Sequence, residues 1–453
     1  MIPSYSENGI VCCPNNHQNP QGAESCCDCG LPLIDYEAEL GLLLKSLAEE
    51  ERHVTFPKEK IFLGIGDQGC RLIDDFYRSW GRSMKGTAHL MINSAGDAEE
   101  SLDIHHSNKN SMKKYMSPPP SLHVFHTSTG KQIGYFGLGE HLASNDPSLN
   151  DYLRRSGITS ATTTQTVFLL SALGGGTGSG ASPHVLQCIK SINPHSRNLV
   201  TALMPAADEP DGAHFNAYCS LSRLIKGNHD TIADMILLVD QDRITKTRGV
   251  GSKGEEIARE AILSYLEAML TGAITNGSPN QADPGYLAKM SRSMGISVFV
   301  PCMAVGRSME IFGSIANILE SALSCPLAEV NKESIMLSYL LVQVPQRLAS
   351  SLHEETLRAE LNKWNRDTFP HLKGSVLQLT LSNRTADRVD LCLLLGGTRL
   401  AITTKMIKKG FDRFKAVVEN EYWEQEFGNT SKIVPEVEKA IQAYDTRLDH
   451  IAK

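Results

Sequence analysis

The stretch that decides the fold is LGGGTGSG, residues 173–180. It follows the apolar run TVFLLSA and precedes GASPHVLQCIKSI, in which apolar residues recur at helical spacing. Small residues between a strand and a helix expose backbone N–H groups and the positive end of the helix dipole, and phosphate is the natural ligand of that arrangement. A flexible turn alone explains the stretch poorly, because so many glycines raise the entropy cost of folding. The sequence predicts a phosphate loop of Gly174, Gly175, Gly176, Thr177, Gly178, Ser179 and Gly180, with hydroxyl donors at its threonine and serine.

Around this loop, short apolar runs alternate with helical patterns. The predicted strands are IFLGI, HLMIN, QIGYF, TVFLLSAL, NLVTALM and MILLVD, whereas SPPPSLH at 117–123 is predicted as a loop. Such alternation is typical of a parallel sheet covered by helices. The fold class is therefore predicted to be α/β.

A second domain, of α+β type, is predicted further along the chain. Residues 254–276 have the pattern of one long helix that separates two domains. Strands are predicted at SVFVPCMAV, IMLSYLLVQVP, SVLQLTLSN and VDLCLLLGG, with helices near 311–324 and 353–364. A long helical stretch, about 400–427, and a short helix from Pro435 end the chain. The predicted order is a cysteine-rich head at 1–35, a helical linker at 36–58, a phosphate-binding domain at 59–250, a central helix at 251–276 and a second domain at 277–453.

GIGDQG, residues 64–69, is a second glycine-rich turn directly after a predicted strand. Its GxGxxG spacing fits a dinucleotide-binding loop, which would make the protein an NAD-binding enzyme. Two observations weaken that alternative. Asn93, rather than an acidic residue, ends the next predicted strand, and the richer loop at 173–180 has no role in a dehydrogenase.

These motifs carry a resemblance to a known family. GGGTGSG at 174–180 matches the phosphate-loop motif of tubulin and FtsZ at every position, and GIGDQG, LMINSAGD and GLGE are similar to other loops of that superfamily, in the same order. The resemblance covers about residues 60–427 and implies a Rossmann-like GTPase domain that binds GTP or GDP with Mg²⁺. The C-terminal helical stretch looks more like tubulin and TubZ than like FtsZ. Outside the phosphate loop, the resemblance implies nucleotide contacts from Gly64, Gly66, Asp67, Gln68, Gly69, Cys70, Asn93, Gly137 and Gly139.

The segments EPDGAHFNAYCSLSRL and DMILLVDQDRI resemble the ribose loop of tubulin, the helix after it and the next strand. Glu209 is then an acceptor for sugar hydroxyls, although a solvated loop carboxylate is an equal alternative. Gln241 stands where the family carries an asparagine that reads the guanine edge. A glutamine keeps the amide donor and acceptor but is one methylene longer.

The segment NQADPGYLAKM, residues 280–290, resembles the loop with which one subunit of this superfamily reaches the nucleotide of the next. Asp283 matches the first acidic position of that loop and is the predicted catalytic residue. Tyr286 stands where a second carboxylate is expected, and a phenol is a poor substitute at neutral pH. Slow GTP hydrolysis, resting on Asp283, is therefore predicted. A simple turn residue at Asp283 remains an alternative, because proline and glycine follow it.

The cysteine-rich head offers two pairs of metal ligands, Cys13 with His17 and Cys26 with Cys29. Zinc takes four nitrogen or sulfur ligands in a tetrahedron, and each short pair can wrap around one side of the ion. The head resembles short bacterial zinc ribbons, with His17 in place of the usual second cysteine and Cys12 and Cys27 as adjacent alternates. Cysteines packed without metal are disfavoured, because so short a segment cannot build a stable core unaided.

Charge and composition exclude several classes of function. The 453 residues carry a net charge of −7, which argues against nucleic acid or anionic lipid as the main partner. No membrane-spanning run and no signal peptide is found, so a cytoplasmic location is expected. Taken with the resemblance, these features predict a GTP-binding protein that assembles head to tail with itself. The alternative is a non-polymerising regulatory module whose zinc ribbon docks a protein partner.

Overall fold

The structure, a computed structural model, describes residues 4–5, 11–12, 17–19, 27–28, 59–79, 84, 86–94, 120–125, 134–160, 164–225, 232–243, 254–270, 284–345, 348, 353–382, 388–418 and 430–452. The chain divides into two compact units, Met1–Phe56 and Pro57–Lys453. In the first unit, three short strands pair antiparallel in the order β1-β2-β3. They are β1 (Ser4–Tyr5), β2 (Val11–Cys12) and β3 (Gln18–Asn19).

The second unit is built on one ten-stranded sheet. Its strands are β4 (Lys60–Ile65), β5 (Thr87–Ser94), β6 (Ser121–Phe125), β7 (Thr166–Ala172), β8 (Arg197–Met204), β9 (Met235–Asp240), β10 (Val298–Arg307), β11 (Leu337–Pro345), β12 (Gly374–Ser382) and β13 (Val389–Gly396). Their order is β12-β11-β13-β10-β9-β8-β7-β4-β5-β6, and every pair is parallel except the two made by β13. The predicted α/β class is confirmed.

Helices follow most of the strands of the second unit. They are α1 (Gly66–Ser79), α2 (Phe136–Asn145), α3 (Leu149–Arg155), α4 (Gly176–Ile192), α5 (Asp211–Ile225), α6 (Gly254–Leu270), α7 (Pro284–Ser293), α8 (Met309–Phe312), α9 (Ile315–Leu323), α10 (Glu354–Thr368), α11 (Leu400–Thr403), α12 (Lys405–Val418) and α13 (Thr430–Ala452). Strands β4, β5, β7, β8, β9, β11 and β13 are buried along almost their whole length, as expected of strands covered on both faces. Within the described residues, no helix is long and apolar enough to cross a membrane.

The chain reverses its direction of growth across the sheet at β4. From β4 it runs outward to β5 and β6, then returns to add β7, β8 and β9 on the other side. The register aligns Ile65 at the end of β4 with Ser171 near the end of β7. The turns after these two strands therefore meet at the topological switch point, where open α/β sheets bind ligands.

The sheet continues from β9 into β10 through a short parallel ladder that pairs Val298 with Ile236. Successive residues of β11 then face two cores, with Tyr339 in the larger one and Leu340 in the smaller one. The larger core also contains Tyr444 of α13, whose hydroxyl accepts the N–H of Val298 at 3.1 Å. One sheet thus serves both predicted domains, whose boundaries remain a prediction.

Two predictions about the strands are wrong. QIGYF is not a strand where the structure describes it, because Gly134 and Tyr135 precede α2 and Phe136 begins it. Its aromatic residues pack under helices, with the ring of Tyr135 stacked on that of Phe215 at 6.0 Å. The missing strand is β6, which begins within the segment predicted as a loop. As an edge strand it has a weak apolar signal, and Phe125 alone in it is fully buried.

The C-terminal helices also differ from the prediction. The last helix, α13, has 23 residues and contains Pro435, so it is the longest described helix rather than a short final one. The long stretch before it is divided into α11 and α12 where it is described. The predicted central helix is helical over α6, and its residues 251–253 and 271–276 lie outside the described part.

Candidate functional site

The two glycine-rich turns touch at the carboxyl edge of the sheet. Gly66, the first residue of α1, has a φ of 74°, which only glycine adopts without strain. A Cβ at Gly66 would lie 3.1 Å from the backbone nitrogen of Gly178. The N-terminal ends of α1 and α4 are therefore packed backbone against backbone, which side chains at these positions would prevent.

The N-terminus of α2 joins them through a glycine contact of its own. A Cβ at Gly139 would overlap the carbonyl oxygen of Gly176, and one at Gly180 would overlap that of Phe136. Residues 137–140, predicted as a third phosphate loop, thus form the first turn of α2. Three helix N-termini converge, and each brings the positive end of a helix dipole to the same edge.

Gly175 is the loop position that opens to space. It is exposed, and apart from its two chain neighbours no described residue has an atom within 4 Å of the place that its Cβ would take. Its backbone angles, φ −80° and ψ 153°, are ordinary extended values. The backbone at Gly175 can therefore be approached closely, whereas several neighbouring glycines are needed for packing within the protein.

A polar network connects the ends of β5, α1 and α4. Nδ2 of Asn93 donates to Oδ1 of Asp67 at 2.6 Å, and Asp67 is exposed in the first turn of α1. The N–H of Ser94 donates to Oδ1 of Asn93 at 2.9 Å, and the hydroxyl of Thr177 donates to that of Ser94 at 3.2 Å. Predicted site residues from three separate segments are thus brought together.

Two other predicted residues use their side chains inside the protein. The hydroxyl of Ser179 donates to the carbonyl of Gly175 at 2.6 Å. The thiol of Cys70 contacts the carbonyl of Ile92 at 3.6 Å, and its burial, then the charge of Asp67, raise its pKa above the usual range. A contact of either residue with a ligand would therefore have to come from its backbone. Gln68 is half-buried in the first turn of α1.

Asn216 of α5 is a site residue that the sequence reasoning missed. Its Oδ1 accepts the N–H of Phe136 at 2.8 Å, and its Nδ2 donates to the carbonyls of Gly134 (3.0 Å) and Gly174 (2.8 Å). It is 1% exposed. The sequence feature that could have revealed it is a polar amide side chain among the apolar residues of HFNAYC. Its position is one where α5 faces the core.

The loop after β8 adjoins the same edge. Oε1 of Glu209 accepts the N–H of Ala206 at 2.8 Å, and Oδ2 of Asp242 accepts that of Ala207 at 2.6 Å. Gln241 lies beside Asp242 in a helical turn directly after β9. The predicted sugar and base residues therefore follow adjacent strands, β8 and β9, next to the glycine loop after β7.

Solved structures of CetZ and FtsZ proteins share this architecture. A CetZ from Methanosaeta thermophila covers 85% of this chain and 99% of its own length, with a TM-score of 0.60 and 15% identity. An FtsZ dimer from M. jannaschii covers 82% and 95%, with a TM-score of 0.56 and 17% identity. A GTPγS-bound protofilament of CetZ2 from Haloferax volcanii covers 79% and 99%, with a TM-score of 0.56 and 16% identity. The chain has the tubulin/FtsZ fold.

The sequence comparison is narrower. The tubulin-like protein CetZ2 of Haloferax volcanii is 29% identical over 135 residues, which are 29% of this chain and 36% of that relative. The match therefore spans about a third of the curated relative. No protein-family model matches the chain. Closer kinship of the C-terminal part to TubZ than to FtsZ stays a prediction.

The predicted catalytic loop, residues 280–290, extends into the start of α7. Asp283 lies outside the described residues, but Tyr286 lies in the first turn of α7 and is 45% exposed. At the other end of α7, Nη1 of Arg292 contacts Oδ1 of Asp234 at 3.1 Å, directly before β9. Helix α7 thus reaches the amino edge of the sheet, opposite the glycine turns.

The zinc ligands can be placed only in part. Cys13, Cys26 and Cys29 lie outside the described residues, and His17 directly precedes β3. Asn19 binds both neighbouring turns, because its Nδ2 donates to the carbonyl of His17 at 3.0 Å and its Oδ1 accepts the N–H of Cys27 at 2.8 Å. Within the described part of the chain, no group of three His, Cys, Asp or Glu residues could hold a metal ion.

Proposed function

We propose that this chain binds GTP at the carboxyl edge of its parallel strands, assembles with copies of itself head to tail, and hydrolyses GTP slowly. The observation that carries the proposal is the contact of Gly66 with Gly178, which brings α1 and α4 together at the switch point. Because the N-terminus of α2 lies beside them, the positive ends of three helix dipoles meet in the same region of the carboxyl edge. A ligand with several adjacent negative charges, such as a triphosphate, matches that arrangement.

The phosphates would lie over Gly175, where the backbone is open. Thr177 and Asn93 would hold the surrounding loops through their network with Ser94. Mg²⁺ binds proteins through one or two carboxylates and completes its shell with water and phosphate oxygens. The exposed carboxylate of Asp67 fits that role. Bound there, the ion would neutralise charge on the phosphates.

Sugar and base would extend toward the ends of β8 and β9. Oε2 of Glu209 lies 3.1 Å from the position that a Cβ would take at Gly174, so this carboxylate adjoins the glycine loop and can accept from sugar hydroxyls. Gln241, one strand further, offers both an amide donor and an acceptor to guanine. The order of the strands thus matches the order of phosphate, ribose and base in a nucleotide.

Head-to-tail assembly is supported by the positions of the two predicted half-sites. The glycine turns lie at the carboxyl edge, whereas α7 contacts the amino edge at Asp234. A contact between opposite ends of identical subunits repeats without closing, which produces a filament. Relatives with this fold include an FtsZ dimer and a CetZ2 protofilament. We infer that Asp283 acts across this contact and that Tyr286 makes turnover slow.

Titration of GTP, with and without Mg²⁺, followed by negative-stain microscopy of the same samples, tests this function. Filaments that require GTP are expected. Tight GTP binding without filaments at any protein concentration would favour the regulatory module. Binding of NAD in place of GTP would restore the dehydrogenase alternative, which the second glycine turn at Gly178 disfavours. A cytoplasmic location belongs to the same proposal.

We further propose that the head binds zinc through Cys13, His17, Cys26 and Cys29 and docks a protein partner. Support comes from Asn19, which bonds the backbone of both His17 and Cys27 and so brings the neighbour of Cys26 close to His17. Metal analysis of protein purified without chelator should find about one zinc ion per chain. Replacing both His17 and Cys29 by alanine should release it without unfolding the second unit. Protein without zinc would overturn this assignment.

A further inference from the structure

One buried amide connects two of the three turns at the carboxyl edge. Asn216 bonds the carbonyl of Gly174 in the glycine loop, and it bonds Gly134 and Phe136 at the start of α2. All three partners are backbone atoms, and all three distances are 3.0 Å or less. A side chain that belongs to neither helix therefore ties the α2 and α4 N-termini together, in addition to the direct glycine contacts between them.

The chemistry of the three bonds requires an amide. Two carbonyl oxygens need donors and one N–H needs an acceptor, and asparagine provides both within one short side chain. An aspartate at 216 would place a carboxylate against the carbonyls of Gly134 and Gly174. At 1% exposure, water cannot readily replace a lost partner, so an unsatisfied backbone group is costly there.

We propose that Asn216 is a positioning residue that holds the N-termini of α2 and α4 at the spacing at which both act on one polyphosphate. The inference rests on the proposed GTP site. Each helix end can attract a single phosphate by itself, so a nucleotide with one phosphate does not depend on the spacing. A triphosphate that engages both ends does depend on it. Asn216 thereby contributes to selection of the triphosphate over shorter phosphate chains.

Asn198 provides a matched control. It is also a fully buried asparagine, and its Nδ2 donates to the carbonyl of Ile232 at 2.7 Å. Asn198 is the second residue of β8 and therefore lies at the amino edge, away from the glycine turns. Asn198→Ala removes a buried amide hydrogen bond, as Asn216→Ala does, but leaves the phosphate site untouched.

The test measures affinities of GTP, GDP and GMP for wild type, Asn216→Ala and Asn198→Ala, at a temperature at which all three are folded by circular dichroism. Asn216→Ala should weaken GTP binding by roughly tenfold to hundredfold, the effect of one or two lost buried hydrogen bonds. Its affinity for GMP should change by less than about threefold. Asn198→Ala should lower thermal stability without changing the ratio of GTP to GMP affinity.

The outcomes separate the two proposals. If Asn216→Ala keeps the wild-type ratio of GTP to GMP affinity, the residue is merely structural and this inference is overturned while the GTP site stands. If wild type binds no guanine nucleotide, the proposed function fails and this inference fails with it. If Asn216→Ala does not fold, Asn216→Ser, which keeps a short hydroxyl donor, takes its place. The ratio of its GTP affinity to its GMP affinity then decides in the same way.

Discussion

The two edges of the parallel sheet use charge in opposite ways. At the amino edge, the fully buried carboxylate of Asp234 accepts from Lys190 at 3.0 Å, Arg292 at 3.1 Å and the backbone of Asn198 at 2.7 Å. The protein matches that charge with its own groups. At the carboxyl edge, helix N-termini converge around Gly175, where the backbone is open.

The difference separates a structural polar cluster from the proposed binding site. A buried charge with its partners in place contributes to the native state and needs no ligand. Converging helix dipoles gain most from an added anion. Changes at the amino edge should therefore alter stability, and changes at the carboxyl edge should alter binding.

The largest effect is expected for Asp234→Ala. It leaves the side chains of Lys190 and Arg292 without their shared carboxylate, which should cost about 3–5 kcal/mol in the free energy of unfolding. Urea denaturation measures this, and GTP affinity at low urea should not change. Asp412→Ala, which breaks an exposed pair with Lys408, serves as a control with an expected cost of about 0.5 kcal/mol. If Asp234→Ala lowers the free energy of unfolding by less than about 1 kcal/mol, the proposed difference between the two edges is contradicted.

The next effect is expected for Gly180→Ala. The new Cβ would overlap the carbonyl oxygen of Phe136 and press on the nitrogen of Glu140, so α2 must move away from α4. Overpacking of this kind costs about 1–3 kcal/mol. Because the α2 N-terminus moves, GTP binding should be lost as well. Unchanged thermal unfolding and GTP affinity would show that the α2–α4 contact is not needed.

Gly175→Ala makes the same chemical change five residues earlier and should act only on binding. Its Cβ meets open space, and its backbone angles suit alanine, so the unfolding free energy should change by less than about 1 kcal/mol. The methyl group would crowd the phosphates, and GTP affinity should fall about tenfold. Calorimetry on both alanine variants sharpens the comparison. Equal destabilisation of the two would contradict it.

The smallest effect is expected for Tyr286→Asp. In the proposed filament, residue 286 of one subunit lies close to the carboxyl edge of the next subunit. A carboxylate at the start of α7 should polarise water at the carboxyl edge of the next copy and raise GTP turnover by about threefold to tenfold. The rise should appear only in assembled protein, so the rate per subunit should grow with concentration. Tyr286→Phe is the control and should not speed turnover. If Asp283→Ala abolishes turnover while Tyr286→Asp leaves it unchanged, the carboxylate at 283 suffices.

Much of the fold was predictable because local pattern and global structure agree. TVFLLSA followed by GGGTGSG and GASPHVLQCIKSI predicted a buried strand, a turn and a helix. β7 and α4 lie there, although α4 already begins at Gly176, inside the predicted turn. Failures occurred where an apolar run packs under helices, as at Tyr135, or where a strand has one buried side, as at β6. Periodicity reports that a residue is buried but not against which element.

The candidate site was predictable in its composition but not in the roles of its parts. The motifs predicted three phosphate-binding segments, and the structure brings those segments together. They did not distinguish Gly175, which is open, from Gly139 and Gly180, which keep two helices in contact. Nor did they indicate Asn216, because its partners lie 42 to 82 residues away along the chain.

The sequence by itself determined the strand–turn–helix units, since each depends on apolar spacing and glycine content within a short segment. Only the tertiary structure decided which turns meet. That outcome depends on the order in which strands enter the sheet, and it set Gly66 against Gly178. Close backbone packing and buried amide bonds act between segments that are distant in sequence, so no local pattern contains them.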